Sequence, residues 1–167
     1  MGNDILEIRA QVCDMISADR AMLAPIAAQL RSSEVDEFEE ARWLLERIAH
    51  TLNAHIDELT EHLGRLGGEM SSKRLSSETL AGELMNAAAR SLNAQTLARS
   101  LRNYYTALSL AHAAALMLET NARAHAYSST AALATRHREE IATLLGATRD
   151  LLPAAIKEEI AQFQVAT

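Results

Sequence analysis

The sequence predicts a single all-α domain built as an antiparallel four-helix bundle, and three observations support this. Apolar residues recur at spacings of three, four and seven over long stretches, which is the periodicity of one helix face. The 167-residue chain is rich in alanine and has only two prolines and six glycines, a composition that favours helix over strand. Short connections and one long polar stretch divide the helices into two pairs. We therefore expect two helical hairpins joined by a crossover.

The first hairpin is expected over residues 4–67. Its first helix begins at a capping residue, Asn3 or Asp4, and its apolar stripe continues to residue 30. Pro25 lies inside this stripe and predicts a kink or a break into two shorter helices. The second helix is expected from about residue 34 to 66, with a leucine-rich stripe of coiled-coil type and a glycine pair at its end.

A crossover is expected over residues 68–92, and it includes a short amphipathic helix near 77–90. The second hairpin follows over residues 93–152, with its turn near Ser128. Pro153 then predicts the start of a separate terminal helix over residues 154–163.

Composition excludes several classes of function. The net charge of −6 argues against a nucleic-acid partner, because nucleic-acid binding requires a concentrated basic surface. The lone Cys13 excludes an intrachain disulfide and a zinc site built from cysteines. The chain begins without a signal-peptide pattern and has no apolar run of about 20 residues, so we expect a cytoplasmic protein with no membrane partner. No catalytic fingerprint of a hydrolase, kinase or dehydrogenase occurs.

Ionisable residues on apolar helix faces are the strongest functional signal, because burying them is unfavourable unless they pair or bind a metal. His137 and Glu140 lie on the apolar face of the fourth helix, and His112 and Glu119 lie on that of the third. Counted from the turn near Ser128, Glu119 and His137 have the same height. Glu119, His137 and Glu140 are therefore expected to converge.

A faint internal repeat suggests a second half-site. The segment His55-Ile-Asp-Glu58-Leu of the second helix is similar to His137-Arg-Glu-Glu140-Ile of the fourth, and His62 lies on the same flank as His55. The first helix offers one inward carboxylate, Asp19, which residue counting places two to three turns from the height of His55. The first half-site is therefore expected to lack a partner on that helix.

Two hairpins, a crossover, and His and Glu on inner helix faces resemble the ferritin-like superfamily, in particular its small bacterial members. The resemblance implies ferritin-like connectivity with a long crossover between helices two and three, a bound Fe, Mn or Zn ion and a role linked to the stress response. We also expect a homodimer or higher homo-oligomer. Metal-binding members carry Glu-x-x-His on helices two and four, whereas this chain carries the reverse order. Only Glu119 matches a family ligand directly.

Their expected convergence makes Glu119, His137 and Glu140 the first candidate metal ligands, with His112, His55, Glu58 and His62 as additional ones. A metal-free alternative remains open, in which the chain is a structural or interaction bundle. In that interpretation the third- and fourth-helix residues form a buried polar network, the second-helix residues lie solvated on a flank, and Trp43 marks a contact with another subunit or with the crossover.

Overall fold

The computed structural model describes residues 2–70 and 96–165 of the chain. Every regular element in this part of the chain is helical, and four of the helices are long. In chain order the elements are α1 (Gly2–Gln29), α2 (Ser33–Asp36), α3 (Glu39–Arg65), α4 (Leu97–Ala124) and α5 (Ser128–Val165). The predicted all-helical class is thus confirmed. The crossover helix expected near residues 77–90 lies outside the described residues.

Helix α1 continues through Pro25, so of the two expected outcomes, a kink or a break into two helices, the break does not occur. Proline removes one backbone donor and its ring crowds the preceding turn. Pro25 is itself buried, and the neighbouring Met22 and Ile26 are fully buried. Packing of this apolar face outweighs the local defect, because tertiary contacts supply most of the stability of a protein helix.

The connection between the first two long helices is longer than predicted. Residues 33–36 form the separate one-turn helix α2, whose Val35 is buried, and α3 begins only at Glu39. The two long helices are therefore separated by nine residues rather than by a tight turn near Ser32. The longer connection changes which residues of α1 lie level with which residues of α3. It therefore changes the position of Asp19 relative to His55.

Helix α3 ends as predicted at the glycine pair. Gly67 has a φ of 70°, a left-handed conformation in which glycine carries no Cβ penalty. The Gly68 N–H donates to the Leu63 carbonyl and the Gly67 N–H donates to the Gly64 carbonyl, both at 2.9 Å. These two bonds form a Schellman cap, which satisfies carbonyls that the helix end leaves free.

Helix α5 continues through Pro153 to Val165, so the predicted separate terminal helix is wrong. The residues affected by the proline lie at the surface: Pro153 and Arg149 are both exposed. Water can therefore bond the Arg149 carbonyl that proline leaves without a donor, which lets the helix continue.

The apolar core is divided into two clusters along the length of the helices. One contains Met22, Leu52 and Ile141, and the other contains Ile16, Leu59 and Ala134. In α3 the first cluster ends at Leu52 and the second begins at Ile56, and α5 changes between Ala134 and Ile141. The residues between these limits include His55 and His137. A polar layer therefore separates two apolar layers.

The surface carries several exposed apolar side chains. Trp43 is 58% exposed and lies under the Arg47 guanidinium, whose carbon is 5.2 Å from the ring centroid. Leu116, Met117, Ile156 and Ile160 are also exposed. Among the described helices, none is both long enough and apolar enough to cross a membrane.

The turn between α4 and α5 generates a testable prediction. Ala126 has a φ of 62°, a left-handed conformation that is unfavourable for any residue with a Cβ. Replacing Ala126 with glycine should raise the free energy of unfolding by about 0.5 to 1 kcal/mol, measured by urea denaturation. The matched control is Ala113→Gly in the exposed middle of α4, which should lower it by a similar amount. Destabilisation by both substitutions would contradict the prediction.

Candidate functional site

The centre of the polar layer is a stacked pair of imidazoles. The rings of His55 on α3 and His137 on α5 have centroids 3.8 Å apart and planes 11° from parallel. Their exposed fractions are only 1% and 0%. Two positive charges at this separation would repel each other in a poorly solvated site. The arrangement therefore favours at least one neutral ring.

Each ring is hydrogen-bonded to the carboxylate of the opposite helix. His55 Nε2 donates to Glu140 Oε2 over 2.7 Å, and His137 Nε2 donates to Glu58 Oε2 over 3.0 Å. The histidine and glutamate of each helix are three residues apart and so share a face. Both helices carry the same His-x-x-Glu pattern. The histidine of each helix therefore bonds to the glutamate of the other, and the arrangement is nearly symmetric.

The two glutamates connect this buried pair to the surface. The side chains of Glu58 and Glu140 are 45% and 46% exposed, respectively. Arg136 donates to Glu58 Oε2, the same oxygen that accepts from His137. The hydrogen bond from His137, followed by the contact with Arg136, lowers the pKa of Glu58 below its usual value. Glu58 is therefore an ionised acceptor at neutral pH.

Asp19 of α1 is the third acidic group of the layer. Its side chain is buried, and its Oδ2 lies 3.9 Å from His55 Nδ1, which is too far for a hydrogen bond. Burial raises the pKa of Asp19 well above its usual value, since desolvation disfavours the charged carboxylate. We refer to Asp19, His55, Glu58, His137 and Glu140 as the core cluster.

Three atoms of the core cluster are buried without a hydrogen bond. Within the part of the chain that the structure describes, Asp19 Oδ2, His55 Nδ1 and His137 Nδ1 have no hydrogen-bond partner. A buried polar atom left in this way typically destabilises a fold by about 1 to 3 kcal/mol. Three such atoms in one layer are a feature that stability alone does not favour.

Both histidines favour the neutral form. Burial lowers the pKa of His137 to about 4, the nearby His55 lowers it further, and the bond to Glu58 opposes both effects. Burial also lowers the pKa of His55, against the opposing effect of Glu140. Neutral imidazole and ionised carboxylate are the protonation states in which these side chains bind metal ions.

The structure changes the expected grouping around Glu119. Its carboxylate forms ion pairs with Arg123 and Arg138, both at 2.7 Å, whereas the carboxylates bonded to the two histidines are those of Glu58 and Glu140. The hydrogen bond from Arg138 is the main reason that the pKa of Glu119 is lowered. Glu119 thus faces the arginines of α4 and α5, while His137 and Glu140 face α3.

The remaining candidates also take new positions. His55 and His62 were expected on a solvated flank but are both buried. His62 Nε2 lies 2.8 Å from Thr130 Oγ1, in a separate contact between α3 and α5. His112 is half-buried on α4 and is not part of the core cluster. Only four of the seven predicted residues, His55, Glu58, His137 and Glu140, come together.

Asp19 is the residue that sequence reasoning misplaced. It was expected two to three turns away from His55, yet it lies beside the ring. A tight turn near Ser32 would place the two residues at different heights along the bundle. The observed connection between α1 and α3 has nine residues and sets a different register between the two helices. The repeated His-x-x-Glu pattern was the available signal that α3 and α5 contribute equivalent residues to one layer.

The contacts of the core cluster run in pairs. Among residues 2–70 and 96–165, no group of three or more His, Cys, Asp or Glu side chains is arranged as it would be around a metal ion.

Comparison of the chain with protein-family models, with curated proteins and with solved structures finds no match. The donor atoms themselves, imidazole nitrogens and carboxylate oxygens, suit Zn, Fe and Mn.

The low pKa of His137 generates a prediction about pH and stability. A histidine titrates near 6.5 when unfolded and this one near 4 when folded, so between these values the unfolded state binds more protons. Stability should therefore fall as the pH is lowered from about 6.5 towards 4, by up to about 3 kcal/mol from this residue. Urea denaturation of the metal-free protein at several pH values measures this loss.

The control is a comparison of slopes rather than of absolute stabilities. His137→Gln should flatten the fall in stability between pH 6.5 and 4.5 relative to wild type. An unchanged slope in His137→Gln would show that this ring does not titrate as its burial requires.

Proposed function

We propose that this protein is a metal-binding bundle with ferritin-like connectivity, and that the core cluster binds one divalent transition-metal ion, Fe, Mn or Zn. The observation that carries the proposal is the buried layer of two stacked, neutral imidazoles bonded to carboxylates of opposite helices. Facing helices of bundles build metal sites from these side-chain types.

Contacts between the helices support antiparallel packing of neighbouring helices. Along α3, residues His55, Glu58 and His62 contact α5 residues of decreasing number, namely Glu140, His137 and Thr130. The other pairs behave in the same way. Between α1 and the α3 segment, Arg9 contacts Leu66 and Asp19 contacts His55. Between α1 and α4, Gln11 contacts Asn121 and Gln29 contacts Ser100. Between α4 and α5, Glu119 contacts Arg138 and Arg123 contacts Thr135.

This set of neighbours supports the long crossover. Helix α1 contacts α3 and α4, and α5 contacts α3 and α4. If every neighbouring pair is antiparallel, α3 and α4 run in the same direction. The end of α3 and the start of α4 then lie at opposite ends of the bundle, as they do in ferritin-like connectivity.

The chemical fit of the core cluster supports a metal rather than another ligand. Of the five buried side-chain atoms that lack a hydrogen bond among the described residues, three belong to the core cluster, on Asp19, His55 and His137; the other two are Arg9 Nε and Tyr104 Oη. A bound cation would accept an imidazole lone pair and would favour the ionised form of the buried Asp19 carboxyl group, which desolvation disfavours. The reversed His-x-x-Glu order departs from the ligand pattern of ferritin-like di-iron proteins, so the proposal includes no oxidase or ferroxidase reaction.

A metal-free structural or interaction bundle is the second candidate. It is favoured by the direct bonds from each histidine to a glutamate, and by the pairwise rather than convergent arrangement of the core cluster in the described residues. The exposed Trp43, Ile156 and Ile160 offer apolar surface to a second copy of the chain in a homo-oligomer. This candidate predicts that substitutions in the core cluster alter stability alone.

Elemental analysis distinguishes the two candidates. Wild-type protein is purified without chelators, supplemented with Fe²⁺, Mn²⁺ or Zn²⁺ and desalted, and its metal content and melting temperature are measured. We expect about one equivalent of one of these metals and a melting temperature that rises with metal concentration, because binding to the folded state alone stabilises it. Below about 0.1 equivalent with an unchanged melting temperature, the metal proposal is wrong.

Matched variants connect the metal to the core cluster. His137→Gln and Glu140→Gln should reduce the bound metal, with Glu140→Gln serving as the substitution at an exposed position that leaves the core packing intact. His112→Gln, a half-buried histidine outside the core cluster, should bind as much metal as wild type. Equal metal content in all three variants would place the metal elsewhere.

A further inference from the structure

A cavity opens on the surface between the beginning of α3 and the middle of α5. Its volume is about 500 Å³, which lies within the range of small-molecule sites. Its apolar lining consists of Trp43, Leu44, Ala147 and Leu151. Leu44 belongs to the apolar core and is only 2% exposed, so the cavity reaches down to the packed core itself. Two rigid helices therefore define its shape.

The rim of the cavity is acidic. It carries exposed carboxylates from both helices, namely Glu39 and Glu40 in the first turn of α3 and Asp150 on α5. Asp150 pairs with Arg149 at 2.8 Å, whereas Glu39 and Glu40 form no ion pair with the described residues. Among the described residues that line the cavity, none carries a positive charge. The cavity thus combines an apolar interior with a negative rim.

Trp43 contributes an aromatic ring that attracts cations. The Arg47 guanidinium carbon lies 5.2 Å from the ring centroid, within the range of a cation–π contact. The indole is still 58% exposed, and it lines the cavity whereas Arg47 does not. Part of the ring is therefore available to a second cation. Aromatic faces and carboxylates are both groups that bind organic ammonium ions.

We propose that this cavity binds a linear aliphatic polyamine, in which ammonium groups are separated by methylene chains. The ammonium groups pair with the carboxylates of the rim, and the methylene groups cover the apolar lining. An uncharged apolar ligand would remove water from the carboxylates without replacing it by a cation, which is unfavourable. A compact inorganic cation would leave the apolar lining exposed to water. A polyamine matches both parts of the cavity.

The size and charge of the cavity favour a small molecule over a protein partner. A stable protein interface buries roughly 800 Å² on each side and is depleted of charged residues at its core. Here the apolar lining comes from only four side chains, and three of the seven lining residues are acidic. A second copy that docked the same face would place its own carboxylates against this rim, and like charges facing each other are unfavourable.

The cavity is separate from the core cluster. Leu44 precedes His55 by eleven residues on α3, which corresponds to about 16 Å along the helix. No residue of the core cluster lines the cavity. The polyamine proposal therefore does not depend on the proposed metal site, and protein that has been freed of metal by chelation and then desalted should bind a polyamine as untreated protein does.

Fluorescence of the full-length protein tests the proposal, because Trp43 is the only tryptophan of the chain. Titration with spermidine at low ionic strength should change its emission in a saturable way, since salt screens exposed charges. Isothermal titration calorimetry measures the same dissociation constant independently. The control ligands are 1,8-octanediol, an uncharged chain of similar length, and Mg²⁺. Both should bind at least about tenfold more weakly than spermidine.

Variants that neutralise the rim locate the binding. Asp150→Asn should weaken spermidine binding by about two- to fivefold, the usual effect of losing an exposed ion pair. The double variant Glu39→Gln with Glu40→Gln should weaken it by about the product of two such losses. Asp57→Asn removes an exposed carboxylate of α3 that does not line the cavity, and it should bind like wild type.

Three results would overturn the proposal. The first is equal spermidine affinity in wild type, Asp150→Asn and the double variant, since the cations would then be bound elsewhere on the acidic surface. The second is the absence of a saturable response by both fluorescence and calorimetry, or equal binding of the uncharged diol. The third is a ligand-free dimer in sedimentation velocity that dissociates in Trp43→Ala, which would assign the cavity to a second copy of the chain.

Discussion

The bonds between the His-x-x-Glu segments of α3 and α5 are the constraint on which the rest of the structure depends. They place two imidazoles in the middle of the molecule, between two apolar clusters that would otherwise form one continuous core. Apolar contacts tolerate small shifts of one helix along another, whereas a hydrogen bond loses its strength over a fraction of an ångström. The two exchanged bonds therefore define the height and rotation of α3 relative to α5.

The same layer weakens the fold. Within the core cluster, two imidazole nitrogens and one carboxyl oxygen are buried without hydrogen bonds to the described residues, and the carboxyl group of Asp19 is desolvated. Well-packed apolar residues of similar volume often give equal or greater stability than buried charged groups. This layer lowers stability, yet each histidine is held by a hydrogen bond to a glutamate. These are the properties of a binding site in which a ligand supplies the missing interactions.

The neighbouring polar contacts show the contrast. Glu119 is buried but bonds to two arginines, and His62 is buried but contacts a threonine hydroxyl. The protein itself supplies polar partners for these groups, so a purely structural role explains them. The histidines of the core cluster each retain one unused nitrogen, which is the feature that separates a candidate site from an ordinary buried polar network.

The sequence by itself determined the helical class, the four long helices, most of the buried face of each helix, and the equivalence of the segments at His55 and His137. These follow from periodicity and residue type, which act locally. Only the tertiary structure decided that Glu119 pairs with arginines, that α1 and α5 continue through their prolines, and that Asp19 lies beside His55. The physical reason is register: the height of one helix against another depends on the connection and on packing over the whole face. Counted from a tight turn at Ser32-Ser33, Asp19 and His55 differ in height by nine residues, or about 13 Å, and only the observed packing of α1 against α3 removes this difference.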